Sequence, residues 1–359
     1  MSEHTRRRPR QFHLWMAVNT VVLLLLSAWV VHSASGAPPT SAPPAGPPPS
    51  AVPGEGASGS RTRIPAKKDI LSARGHRFGL SAPHVPWSQP EIDDIAAKAG
   101  ARPTLLQYFV KWTEEFRPES VDAAYGNGGV PVISWEPWSG SGAGLDQPAY
   151  ALRRIVAGEH DEYLVRFATA VRDHRWPIGL RFAHEMNGSW YPWSEQRSGN
   201  RSGEYVKAWR HVHDVFARVG ATNVIWIWSP NIIRPVPKIS LSALYPGDRY
   251  VDWIGLVGYS TGERTATQLF QPTLRRLRAF TDRPLLITET GSRPEAYRLP
   301  FIRDLFVWLS RRTDVVGFIW FEYDRVDGGS GDWRFTTRPD AVEAFRTGLA
   351  RLRLAPPPG

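Results

Sequence analysis

The chain contains no cysteine. That excludes disulfides, zinc–thiolate centres and any cysteine nucleophile. A phosphate-binding loop is also missing. The glycine-rich stretches at 126–129 and 139–144 lack the lysine and helix start such a loop needs, and read instead as mobile loops around a cleft. No second histidine stands at ligand spacing from His184, so neither a metal site nor a cofactor is expected. Net charge is +10, but much of it sits at Arg6, Arg7, Arg8, Arg10, Arg61, Arg63, Lys67 and Lys68. Without a tight basic cluster interleaved with aromatics, a nucleic-acid partner is discounted.

What is present begins with an export signature. The arginines at 6–10 precede an almost wholly apolar run from Leu14 to Val31, and Ser35-Gly36-Ala37 is a passable cleavage site. The run is longer than the ~7–15 apolar residues usual in a cleaved signal and reaches the ~18–20 that span a bilayer. Residues 1–36 are therefore read as a cleaved signal peptide or a retained signal-anchor. In either case the rest of the chain lies outside the cytoplasm, membrane-tethered or secreted. Residues 37–65 are rich in Pro, Ala, Gly and Ser, and form a semi-stiff linker with too little apolar surface to fold. The remainder, 66–354 with a tail at 355–359, is long enough for one large core and is expected to be monomeric.

Within it, eight short runs rich in apolar, β-branched and aromatic residues recur at 78–82, 105–112, 130–135, 178–185, 223–228, 253–259, 285–289 and 315–321. They read as strands of a parallel sheet covered on both faces. Helical patterns lie between most of them. Ser88-Gln89-Pro90-Glu91 has the form of a capping box opening a helix to about Lys98. Residues 161–174 place Leu164, Val165, Ala168 and Val171 on one face, and 204–219 do the same with Val206, Trp209, Val212 and Phe216. Two further helices fit 300–311 and 341–352, whereas the helix after the second strand is hard to place. This alternation predicts a (β/α)₈ TIM barrel with its active site at the carboxyl ends of the strands. A doubly wound open sheet is the alternative, disfavoured by the missing phosphate loop.

The fourth run leads into Arg181-Phe182-Ala183-His184-Glu185-Met186-Asn187-Gly188-Ser189-Trp190-Tyr191-Pro192-Trp193. Glu185 thus ends the fourth strand and Glu289 the seventh, on opposite sides of one barrel mouth. Such a pair suits glycoside hydrolysis: a protonated carboxyl serves the leaving oxygen while an ionised one attacks the anomeric carbon or activates water. A separation of ~5–5.5 Å implies retention and ~6.5–9.5 Å inversion. Arg181, sharing the strand parity of Glu185, can point inward and stabilise an anionic Glu289. Asn187 is open to three roles: fixing Glu185, contacting a sugar hydroxyl, or turn chemistry in Asn-Gly, the last being favoured. Trp135, with Trp87, Trp112, Trp138, Trp193, Trp228 and Trp333, falls at or just past a strand end. These are candidate stacking platforms for sugars, about half of them expected to be core instead. Residues 332–334 are read as a wall of the cleft.

Arg-x-x-His-Glu-Met-Asn-Gly-x-Trp with a downstream Thr-Glu-Thr-Gly resembles glycoside hydrolase family 26, over about residues 70–354. The resemblance implies a retaining β-glycanase, chiefly an endo-β-1,4-mannanase, on a barrel with its acid on strand four and its nucleophile on strand seven. It assigns Glu185 as acid/base and Glu289 as nucleophile. It also places His184 and Trp190 in the lining, gives Tyr259 a hydrogen bond to the nucleophile, and makes Trp320 the floor under the sugar. Two departures weaken the mannan assignment. Val257 stands where an acidic residue is common, and Phe321 where an arginine can contact the next sugar. Mixed-linkage β-glucan and xylan stay open as substrates, as do a non-catalytic cell-surface glycan-binding barrel and an enzyme trimming a polysaccharide during its export.

Overall fold

The computed structural model describes residues 64–293 and 295–358. The export segment and nearly all of the linker lie outside the described residues. Among those residues no helix is long and apolar enough to cross a membrane.

Eight parallel strands close on themselves in sequence order. They are β1 (Arg77–Ser81), β2 (Leu105–Lys111), β3 (Val130–Glu136), β4 (Ile178–Phe182), β5 (Val224–Trp228), β6 (Trp253–Ser260), β7 (Leu285–Ser292) and β8 (Val315–Phe321). β8 pairs back onto β1 through five residues, Arg77↔Gly317 to Ser81↔Phe321. A short α1 (Lys67–Ser72) precedes the barrel. Around it run α2 (Gln89–Ala99), α3 (Pro118–Gly126), α4 (Leu152–Val156), α5 (Asp161–His174), α6 (Glu204–Val219), α7 (Ala266–Leu277), α8 (Glu295–Ser310) and α9 (Pro339–Ala350). The (β/α)₈ expectation holds.

Local chemistry sets the helix limits. The hydroxyl of Ser88 caps α2 by accepting from Glu91 N at 3.3 Å, and Gly100 closes it at φ 78°. Only half of the expected capping box forms, because the Glu91 side chain accepts from His84 N instead. On α5 the buried stripe is Leu164, Phe167, Ala168 and Val171, spaced i, i+3, i+4, i+7. Val165 falls outside that arc and is exposed. α8 begins five residues before Pro300, so this proline lies inside the helix and not in its first turn as expected. The glycines at 126–129 are not a cleft loop. Gly126 ends α3 and Gly128, at φ 83°, turns the chain into β3. The stretch at 139–144 does follow a strand, but Gln147 pins it by donating to Gly140 O (2.9 Å) and Gly144 O (2.8 Å).

Two apolar shells result. The outer one lies between strands and helices, where Trp135 packs against Phe167 at 4.5 Å and Phe182 at 5.8 Å between ring centroids. The inner shell becomes polar towards the carboxyl ends of the strands, where Ser134, Glu136, Arg181, Ser229, Thr288 and Glu289 are all buried. Strand alternation decides which side chains go where.

Candidate active site

Arg181, fully buried on β4, organises this polar layer. Its Nη1 donates to Glu289 Oε1 (2.5 Å) and Ser134 Oγ (3.0 Å), and its Nε donates to Ser229 Oγ (2.9 Å). Ser229 also shares a hydrogen bond with Thr288 Oγ1 at 2.7 Å. Thr288 and Glu289 are neighbours, yet both reach the interior. The register of β7 slips against β6 between Leu256 and Val257, and against β8 between Ile287 and Thr290. That irregularity breaks the strict alternation, as bulges do beside functional sites. The second oxygen of Glu289 accepts from Tyr259 Oη at 2.6 Å. A guanidinium and a phenol therefore occupy both oxygens of one carboxylate. Burial and the Glu289 charge hold the Tyr259 phenol well above its usual range, so it stays a donor.

Glu185 is not the last residue of a strand. β4 stops at Phe182, and Ala183 and Glu185 take left-handed φ of 45° and 53°. For residues with a Cβ this costs of order 1–3 kcal/mol each and persists only where the surroundings impose it. Four hydrogen bonds impose it here. Ala183 N donates to Trp135 O (3.0 Å) and Glu185 N to Ser229 O (2.7 Å), while Trp193 Nε1 donates to His184 O (2.6 Å) and Tyr205 Oη to Ala183 O (3.2 Å). Arg181 does point inward as expected, but the parity argument behind that expectation fails once the strand has ended.

The Glu185 carboxyl, 7% exposed, accepts from Trp190 Nε1 (2.5 Å) and Asn231 Nδ2 (2.9 Å), both on Oε2. Oε1 is left to carry a proton. Burial, then the nearby charge of Glu289, pushes its pKa up to about 7 against the pull of Arg181 and the two donors. Trp190 lies directly over Gly188, where a Cβ would come within 2.3 Å of the indole. Glycine is needed there for close approach.

Asn187 is tied at both ends to the backbone of Asn231, accepting from its N at 2.9 Å and donating to its O at 2.8 Å. It is fully buried, which keeps it from a sugar, and it fixes Glu185 through Asn231. Trp135 is corrected from sugar platform to outer core. It alternates with the inward Ser134 and Glu136, and its Nε1 bonds Tyr163 Oη at 3.1 Å. Trp320 is corrected likewise. Its ring meets Phe345 of α9 at 5.4 Å and Phe335 at 6.0 Å, outside the barrel. Phe321, one residue on, faces Tyr259 at 5.7 Å, and Trp333 covers Tyr259 at 4.7 Å. Trp333, from the stretch at 332–334, is buried against that phenol ring. Of the other strand-end tryptophans, Trp112, Trp138, Trp193 and Trp228 are buried, and Trp87 is 45% exposed.

Several site residues escaped the sequence reading. Asn231 and Tyr191 carry no signal of their own. Glu136 does: it follows the apolar run at 130–135 as Glu185 and Glu289 follow theirs. No cluster of His, Cys, Asp or Glu able to hold a metal occurs among the described residues.

Two buried carboxyls at the open end of a parallel eight-stranded barrel, one of them held by a guanidinium and a phenol, define the class of site: a pair of acidic groups facing one mouth. The comparisons narrow it. Residues 145–294 match the sequence model of glycosyl hydrolase family 26. Endoglucanase H of Acetivibrio thermocellus is 30% identical over 279 residues, covering 73% of this chain and 29% of that protein. A mannan endo-1,4-beta-mannosidase of Bacillus subtilis is 24% identical, covering 62% of this chain and 67% of that protein. Two solved structures share the fold. One is the catalytic domain of an endo-beta-1,4-mannanase from Bacillus sp. JAMB-750 (TM-score 0.59, 16% identity, 80% of this chain and 91% of that one). The other is a beta-mannanase from Bacteroides ovatus (TM-score 0.57, 17% identity, 79% and 91%). The chain thus resembles glycosyl hydrolase family 26 both in the motif around Glu185 and across residues 145–294. It spans less than a third of the endoglucanase it matches.

Proposed function

We propose that the chain is a retaining endo-acting hydrolase of β-linked glycans, with β-1,4-mannan the leading substrate. Glu185 is its acid/base and Glu289 its nucleophile. One observation carries the reading: Arg181 and Tyr259 donate to the two oxygens of Glu289, while both donors to the nearby Glu185 carboxyl fall on its Oε2. Oε1 of Glu185 gives its proton to the departing glycosidic oxygen. Glu289, released from neither Arg181 nor Tyr259, attacks the anomeric carbon and forms a glycosyl ester. Glu185, now ionised, takes a proton from water as that water attacks the same carbon, and Glu289 leaves as carboxylate. Two inversions restore the β configuration.

Val257 is fully buried and Phe321 is apolar, so neither offers a mannanase-like polar contact at its position. Mixed-linkage glucan and xylan are therefore the alternatives to test beside mannan; other relatives carry the names endoglucanase and beta-1,3-xylanase. We place the enzyme outside the cytoplasm, on the strength of the arginines at 6–10 and the apolar run that follows. The test is turnover of the three glycans by wild type and Glu289→Ala, with NMR of the first product. Loss of turnover in the variant and an initial β-anomer support the reading. Undiminished turnover, or an initial α-anomer, refutes it.

A further inference from the structure

The barrel carries its charge unevenly. Around the mouth, the segments leading from strands into helices (82–88, 112–117, 137–151, 183–203, 229–247, 261–265, 293–294 and 322–338) hold ten Lys and Arg against ten Asp and Glu. On the opposite, amino-terminal face the segments 67–76, 248–252, 275–284, 311–314 and 351–358 hold twelve against five. These five segments form one sector. Lys67 Nζ pairs with Asp252 Oδ2 at 2.8 Å, and Arg283 Nη2 donates to Asp248 O at 2.6 Å. Arg278 and Arg312 share Asp314 at 3.0 and 2.7 Å. β8 pairs with β1, and His76 N donates to Arg353 O at 2.8 Å. Most of the sector's carboxylates are engaged within the fold. Asp252 and Asp314 are held by those pairs, Asp248 by the hydroxyls of Tyr245 (2.6 Å) and Thr281 (2.8 Å), and Asp69 by Ala66 N (3.2 Å). By contrast Lys68, Arg74, Arg311, Arg351 and Arg353 are exposed and have no carboxylate partner among the described residues. Helix dipoles draw cations to the carboxyl ends of helices. They do not explain a sector, because 127–129 and 220–223 also follow helices and carry no charge.

Unpaired cations gathered on one side of a barrel make a surface for an extended anion, because their fields add. The point at which the chain joins the barrel indicates which anion. Residue 64, the first described, leads into α1, and α1 lies against the base of the barrel, where Arg77 Nη2 donates to Ile70 O at 2.9 Å. The linker at 37–63 therefore meets the barrel at its basic face. At ~3.1 Å per residue, an extended proline-rich chain of that length reaches at most about 80 Å. With the apolar run at 14–31 held in a bilayer, this face stays near lipid headgroups at high effective concentration. We propose that the amino-terminal face docks on an anionic phospholipid surface, with the sector around Lys68, Arg74, Arg311, Arg351 and Arg353 against the headgroups and the mouth turned away from the membrane. The inference goes beyond the glycosidase reading and does not depend on the substrate; it takes up the export segment as a tether. Each cation brought to an anionic bilayer strengthens association about fivefold at low salt. Docking in this sense leaves Glu185 and Glu289 open to a polymer arriving from outside.

The chain has no cysteine, so one introduced thiol takes a fluorophore at a single place. Thr313→Cys lies in the sector and Ala143→Cys on the mouth side, and both positions are exposed. The full chain is reconstituted in vesicles carrying an acceptor lipid, made of phosphatidylcholine alone or with phosphatidylglycerol. In the anionic vesicles, energy transfer from 313 should exceed that from 143 at least about twofold at about 0.1 M salt, where the screening length is ~10 Å, and match it at about 1 M, where it is ~3 Å. In phosphatidylcholine the two probes should match at either salt. Arg311→Glu combined with Arg351→Glu and Arg353→Glu should abolish the difference. The lipid and salt comparisons need no charge variant, and they decide the matter should that protein fail to fold. Equal transfer from both probes in anionic vesicles at the lower salt, or the same excess in phosphatidylcholine, overturns the proposal. If the chain binds soluble polyphosphate and still shows equal transfer, the face belongs to an anionic polymer and membrane docking is refuted. A chain that leaves the vesicles at the higher salt breaks the tether reading instead, and the comparison at the lower salt still judges the face.

Discussion

Glu185→Gln is predicted to stabilise the fold while abolishing most of its activity. The carboxyl is buried, and its pKa is displaced from 4.5 to about 7. At 1.36 kcal/mol per unit this corresponds to about 3 kcal/mol of stability forgone when the group must ionise in the folded state. The sign follows from the direction of the shift. Below the unfolded value the acid is neutral in both states and nothing is lost. As pH rises from about 4.5 to about 7, the unfolded chain ionises and the folded one resists, so stability falls across that window and stays lower above it. A Gln at 185 can still accept from Trp190 and Asn231 but carries no charge. At pH 8 the variant should melt higher, by about 6 °C at roughly 2 °C per kcal/mol for a domain of this size. At pH 4 the two proteins should melt together. Turnover of glycans should fall about 10²–10⁴-fold, as removal of a general acid does. Paired thermal melts at pH 4 and pH 8 give the stability arm, and hydrolysis rates the other. An equal melting offset at both pH values, or no gain at pH 8, would refute the claim that Glu185 is an acid held neutral by burial.

Three further outcomes follow from the same geometry. Arg181→Met removes the donor to Ser134, Ser229 and Glu289 and leaves a buried carboxylate unpaired. It should cost about 3–5 kcal/mol in chemical denaturation, and a loss below about 1 kcal/mol would contradict the pairing. Gly188→Ala drives a methyl into the Trp190 indole, at a cost of about 1–3 kcal/mol. By taking a donor from ionised Glu185 it should also move the alkaline limb of the pH–rate profile upward; an unmoved limb would mean the indole keeps its place. Trp320→Ala should destabilise by about 3–5 kcal/mol yet leave KM unchanged in the protein that still folds, because the ring packs under α9 and not under substrate.

The barrel was legible in the order of the residues. Parallel strands covered on both faces must be apolar along their length, and the helices between them must bury one stripe, so eight runs separated by a 3.6-residue period leave few other folds. The placement of Glu185 just past element four and of Glu289 on element seven followed from counting. Glu136 could have been found by the same count, since a carboxylate closing a buried run is the same signal three times over.

What only the tertiary structure decided is orientation. One step along a strand reverses the face a side chain serves. Trp135 and Trp320 therefore turned outward into the helical layer, while Ser134, Glu136 and Phe321 took the interior. The turn after Phe182 and the slip in β7 set aside the two-residue alternation where the chemistry sits, and both are held by bonds to residues far away in the chain, such as Ser229 O to Glu185 N. Local composition carries no record of such partners. It establishes that carboxylates stand at the mouth of a barrel. The directions in which they point, and the proton Glu185 is able to keep, come from strands that meet only once the ring has closed.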